Sequence, residues 1–275
     1  MMPVPATIER HYQRLSDWLF ARLPQSPPTS RQAQQCRIVA HRGQHDGVAV
    51  MENTVPAFDA ARNAGVWGIE LDVRWTRDLE PVVFHDPDCR RLFGEPTRLA
   101  ELSWGEIQSR LPTIPSLLRV IERYGKQLHL MVCVKPEIYP NPTYQRDLLR
   151  DLLSTLSPQS DYHLLAIDTA LFRHLTFAPR ECFLPIADVN WRELSRQAIT
   201  QRYAGIAGHY WLITQARIRQ HQRYGQQTGT GFVSSRNCLF REIRRRVDWV
   251  FSNCAAKLQA ICGELAEGTT RSSQA

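Results

Sequence analysis

Glu70 and Asp72 stand two residues apart in the run Gly68-Ile69-Glu70-Leu71-Asp72-Val73-Arg74-Trp75-Thr76, and a histidine closes each of two other apolar runs. These are His41, in Ile38-Val39-Ala40-His41-Arg42-Gly43, and His85, in Pro81-Val82-Val83-Phe84-His85-Asp86. Two carboxylates can hold a divalent cation, and two imidazoles beside it can move protons near neutral pH. Side chains alternate across a strand, so a strand over this run puts Gly68, Glu70, Asp72 and Arg74 on one face and Trp67, Ile69, Leu71 and Val73 on the other. On an antiparallel surface strand the charged face would only meet water. Inside a parallel barrel the same acids would lose hydration and repel each other, and would need a cation or a basic partner.

The rest of the chain points to the barrel. Strand-like runs alternate with helix-like ones, the pattern of a parallel sheet covered by helices. Strands are expected over 36–40, the acidic run, 81–84, 128–135, 162–167, 182–186, 203–207, 230–234 and 247–251, and these alternations can close a ring of eight parallel strands. Thr54 caps a helix carrying Val55, Pro56, Phe58 and Ala61 that Gly65 ends, and Ser116 opens one that Gly125 stops. On the 128–135 strand, Leu130, Val132 and Val134 face outward and His129, Met131, Cys133 and Lys135 inward. The expected architecture is an α/β, TIM-type (β/α)8 barrel with a short N-terminal helical extension and a small insertion with little regular structure after the third strand segment, over 86–111. Residues 1–34 read as an amphipathic helix, with its stripe over 8–23, and a linker; 35–267 as the barrel domain; 268–275 as a disordered tail.

Composition narrows the classes. At 275 residues the chain is long enough for one large core. Its formal charge of +7 suits an anionic partner, but the basic residues are scattered and the one dense cluster, 241–246, reads as a helix face, so no nucleic-acid role is assigned. Seven cysteines without a Cys-x-x-Cys pair argue against a disulfide framework or a zinc knuckle and favour a reducing, cytoplasmic setting. The first residues lack the basic-then-apolar pattern of a secretory signal, and no run is long and apolar enough to span a bilayer.

The ordered set His41-Arg42-Gly43, Glu52-Asn53-Thr54, Glu70-Leu71-Asp72, Pro81-Val82-Val83 and His85-Asp86 resembles the glycerophosphodiester phosphodiesterase family. Ile114-Pro115-Ser116-Leu117 extends the likeness, and Val247 to Asn253 is similar to that family's last strand. The resemblance implies a small anionic phosphodiester as substrate, cleaved to glycerol phosphate and an alcohol in glycerol and lipid metabolism. It also implies His41 and His85 as the acid/base pair, Glu70 and Asp72 as metal ligands, and Arg42 and Lys135 as phosphate-binding groups.

Oxygen ligands favour magnesium or calcium, with zinc or manganese as alternatives. Relatives carry an acidic ligand where this chain has Cys133, which reads either as an inert buried thiol or as a ligand that would favour a softer metal. Glu137 shares the parity of Lys135 but follows Pro136, and the last strand departs from the family at Trp249 and Asn253. Arg42 has a structural alternative in ion pairs to Glu52 or Asp86. His45, His163, His174, His209 and His221 read as structural or exposed. Two further readings stay open: a degenerate barrel that binds phosphodiesters or lipid head groups without turnover, and a phospholipase-D-like lipid phosphodiesterase touching a membrane surface through the N-terminal helix.

Overall fold

The computed structural model describes residues 16, 18–188 and 190–272. Its strands are β1 (Arg37–His41), β2 (Gly68–Trp75), β3 (Pro81–Val83), β4 (His129–Val134), β5 (Tyr162–Ala166), β6 (Phe183–Ala187), β7 (Gly205–His209), β8 (Gln227–Gly231) and β9 (Trp249–Ser252). They pair in the order β1-β9-β8-β7-β6-β5-β4-β2-β3, and β1 pairs again with β2, which closes the ring. Every pairing around the ring is parallel. The result is a TIM-type barrel, as the alternation of elements predicts.

β3 is not a barrel stave. It pairs antiparallel with the end of β2, Val83 opposite Val73 and Pro81 opposite Trp75, so the third strand segment is half of a hairpin hung on the wall. With it set aside, the eight other expected runs supply the eight parallel staves. β7 and β8 are displaced from their expected positions by two or three residues, because glycine-rich runs such as Gln227–Gly231 carry little apolar alternation to mark their ends.

Parity sorts the core. Leu130, Val132 and Val134 join Ile69, Leu71, Val73 and Trp75 in the layer between sheet and helices, while Met131 and Cys133 join Val39, Leu165, Leu184, Trp249 and Phe251 inside the ring. Trp67 departs from expectation. It lies just before β2, packs on the inner cluster and stacks on His129 at 4.2 Å between ring centroids.

The capped helices occur where Thr54 and Ser116 place them, as Val55–Asn63 and Leu117–Tyr124, each cap oxygen accepting from a backbone N–H three residues on. The insertion is more ordered than expected. It forms helices Arg90–Phe93 and Trp104–Arg110 around a small core of its own, with Phe84, Leu99, Leu102 and Ile107 buried together.

The N-terminal stripe falls mostly outside the described residues. Over 18–22 the backbone is helical, and Phe20 packs edge-on against Tyr210 and Trp211. The expected linker contains a helix, Ser30–Gln34, because Thr29 and Gln32 form a reciprocal capping box and Ala33 is buried in the main core. At the other end the helix Ala255–Ser272 runs into most of the stretch expected to be disordered; 273–275 lie outside the described residues. Among the described residues no helix is long and apolar enough to cross a membrane.

Candidate active site

His41 is the last residue of β1, and the chain turns sharply after it. Arg42 adopts φ +59° and Gly43 φ +80°. A Cβ on Gly43 would lie 2.8 Å from the backbone carbon of Ala57, so only glycine lets this turn press on the helix Val55–Asn63. The turn aims the Arg42 backbone N–H at Glu70, donating to Oε2 over 3.1 Å. The Arg42 side chain donates to Glu52 at 2.9 Å, and its Nε lies 3.1 Å from Asp72 Oδ2. Of the two structural partners considered for Arg42, Glu52 is present; Asp86 pairs instead with Arg91, Nε to Oδ2 at 2.5 Å.

Glu70 and Asp72 face into the ring, as parity requires, and both are buried. In the ladder Asp72 is directly opposite Cys133. Lys135, also buried, reaches back with Nζ 2.5 Å from Asp72 Oδ1 and 3.4 Å from the Cys133 sulfur. Burial opposes ionisation of Asp72, but Lys135 and Arg42 overcome it and hold the carboxyl well below the usual range. Glu70 moves the other way, since burial and the neighbouring Asp72 charge outweigh the same two cations. One donor atom each from Glu70, Asp72 and Cys133 lies within 4.8 Å of the others, a cluster able to hold a metal ion. Burial pushes the Cys133 thiol up to about 12. Glu137, by contrast, turns away and accepts from Arg74 and the Trp75 backbone.

Each imidazole has a backing acceptor. His41 Nδ1 lies 2.7 Å from Asn253 Oδ1, and His85 Nδ1 lies 2.7 Å from Asp86 Oδ1. Those acceptors assign the proton to Nδ1 and leave Nε2 unprotonated in the neutral rings. His41 Nε2 lies 3.8 Å from Glu70 Oε2. Burial, then Arg42, lowers His41 to about 3, and burial lowers His85 as well. Arg74 fixes the main chain at His85 by donating from Nε to its carbonyl at 2.8 Å.

Several residues in this network were not singled out as site residues in the sequence. Asn53, at φ +58°, donates from Nδ2 to Asp72 Oδ2 at 2.8 Å and accepts from the Asp72 backbone. Glu52 receives both Arg42 and Arg91, which with burial working against them hold it at about 2. The Glu52-Asn53-Thr54 run and Asp86 beside His85 were visible signals; Arg91, inside an insertion without periodicity, had none. A cavity of about 700 Å³ opens beside the site, lined by Gln44, His45, Asp46, Glu52, Arg91, Asn253 and Lys257. His45, expected to be structural or exposed, therefore borders the site.

Fold and site together define a (β/α)8 barrel with a buried pair of carboxyl groups and two backed imidazoles at the mouth where β1 and β2 end. Residues 41–156 match the model of the Glycerophosphoryl diester phosphodiesterase family. It is similar to a glycerophosphodiester phosphodiesterase of Caldanaerobacter subterraneus, 51% identical over 125 residues covering 41% of this chain and 51% of the relative. It also matches glycerophosphodiester phosphodiesterase 1 of Homo sapiens, 37% identical over 82 residues, 30% of this chain and 24% of the relative. The chain thus spans about half the length, or less, of these curated relatives. The crystal structure of a glycerophosphodiester phosphodiesterase from Thermotoga maritima superposes with a TM-score of 0.69 at 20% identity, covering 82% of this chain and 98% of that one. That of an Oleispira antarctica phosphodiesterase in complex with the product sn-glycerol-3-phosphate gives 0.68 at 20% identity, over 85% and 98%. At these identities the superpositions establish the fold.

Proposed function

We propose that this chain hydrolyses glycerophosphodiesters to glycerol phosphate and an alcohol. The observation that carries the reading is the pair of imidazoles, each tied at Nδ1 to its own acceptor, beside a buried carboxylate pair that two cations already address. Glu70 and Asp72 would hold a divalent ion, which when bound polarises a phosphoryl oxygen and offsets charge in the transition state. The donor chemistry fits such an ion, since two buried carboxylates and a sulfur converge on one small volume. Two oxygen ligands by themselves favour magnesium or calcium.

The protein's own groups supply the rest. Arg42 and Lys135 would attract and orient the phosphate anion, each re-partitioning from Asp72 as the substrate arrives. Burial and the neighbouring Arg42 keep His41 unprotonated, so it would take a proton from the nucleophile, whether water or the neighbouring glycerol hydroxyl. His85 is backed by a carboxylate that favours its imidazolium against the burial that lowers it, and the fraction protonated at Nε2 would protonate the departing alkoxide. The seven free thiols fit a reducing compartment, and we place the enzyme in the cytoplasm.

Purified protein incubated with glycerophosphocholine and magnesium, calcium, manganese or zinc should release glycerol 3-phosphate, and His41→Ala or His85→Ala should abolish release. No product with any of these ions removes the enzymatic reading. The second reading, a barrel that binds without turnover, is favoured by the Lys135–Asp72 contact, which neutralises a ligand carboxylate without any metal. Binding of glycerophosphocholine without product would establish it.

A further inference from the structure

We infer that Cys133 is a metal ligand and that the site, through it, selects a thiophilic divalent ion such as zinc over magnesium or calcium. This rests on the metal-dependent reading above but concerns which ion these particular side chains accept. Three observations carry it. Cys133 is inside the ring, fully buried, and directly across the ladder from Asp72. Its sulfur belongs to the same 4.8 Å cluster as the oxygens of Glu70 and Asp72. Finally, the ammonium of Lys135 lies against that sulfur as well as against Asp72, so an anionic sulfur would have a counter-charge already in place.

The sulfur donor decides between hard and soft ions. In the protein alone Lys135 and Arg42 both address Asp72, and Arg42 is shared with Glu52. A hard divalent ion has little affinity for sulfur and leaves the thiol protonated, so it gains the two carboxylates and nothing from Cys133. A thiophilic ion instead displaces the thiol proton: the S–H bond breaks, the sulfur keeps the electron pair and donates it to the metal, and the proton leaves to solvent with no change of oxidation state.

The test is titration of the metal-free full chain with cobalt(II), which reports sulfur ligation by a thiolate-to-metal charge-transfer band in the near ultraviolet. The wild type should develop the band to one equivalent, zinc should bleach it, and a large excess of magnesium should not. Cys133→Ser, nearly the same size, should lose the band and bind zinc more weakly by on the order of 100-fold. Zinc-edge X-ray absorption of the wild type loaded with one equivalent should show a sulfur neighbour at about 2.3 Å, a readout that needs no variant. Cobalt loading without the band, the same band in Cys133→Ser, or a zinc shell without sulfur overturns the proposal. Since none of these readouts involves turnover, a protein that shows the band but cleaves no glycerophosphodiester keeps the thiolate site and loses the enzymatic function, while an active magnesium enzyme without the band does the reverse.

Discussion

Lys135 Nζ and Asp72 Oδ1 form an ion pair 2.5 Å long, with side chains 6% and 1% exposed. Arg42 approaches the other oxygen of the same carboxylate, so Asp72 is the electrostatic hub of the barrel mouth. Removing one partner of a buried pair strands the other. Lys135→Met or Asp72→Asn alone should cost about 3–5 kcal/mol, and the double variant should cost less than the two added together. A urea-denaturation double-mutant cycle measures this, and strictly additive losses would refute the coupling.

The unequal backing of the two imidazoles gives a pH prediction. With neutral His41 as the proposed base, activity should be lost as pH falls through its pKa, which burial and Arg42 lower to about 3. Asn253→Asp places an anion behind the ring, stabilises imidazolium and raises that pKa. The acid limb of the kcat/KM profile should therefore move to higher pH in Asn253→Asp, and an unmoved limb would remove His41 from the base role.

Arg91 donates to Glu52 and Asp86 at once and so ties the insertion to both imidazole-bearing segments. Arg91→Met should loosen His85 and lower kcat by about 10–100-fold, the range for losing an outer orienting group. The urea midpoint should shift little, because the side chain is 40% exposed.

Deeper in the ring, His129 Nδ1 donates to the Ser160 carbonyl at 3.0 Å, which leaves its Nε2 to accept from His163 Nδ1 at 2.8 Å. Both rings are buried and neutral, lowered chiefly by burial to about 4 and about 3. Unfolding frees them to bind protons near their ordinary value of about 6.5. Their stabilisation is therefore complete above that pH and declines as pH falls toward their folded values, by up to about 2 kcal/mol each at pH ~5. The urea midpoint should drop between pH ~7.5 and ~5, and His163→Leu should flatten the dependence; equal slopes in both proteins would sink the assignment.

Much of this was legible in the chain because a period-two pattern is a statement about faces. The inward set Glu70, Asp72, Cys133 and Lys135 follows from parity alone once the strands are parallel and ring-closed. Less legible was anything fixed by backbone geometry. Asn53 holds Asp72 from a left-handed conformation that no periodicity announces. The hairpin strand β3 reads like any other apolar run, since three residues cannot declare the direction of their partner. Arg91 is placed by an insertion whose small core gathers residues from scattered positions, a long-range arrangement that short patterns do not encode.

The hairpin has an evolutionary corollary. His41 is riveted to a stave of the closed wall, whereas His85 rides on an outrigger with its own ballast of Leu99, Leu102 and Ile107. Repacking that ballast would retune the span between the two imidazoles without disturbing the wall. Drift at positions remote from both rings would thus suffice to reset the gap between them.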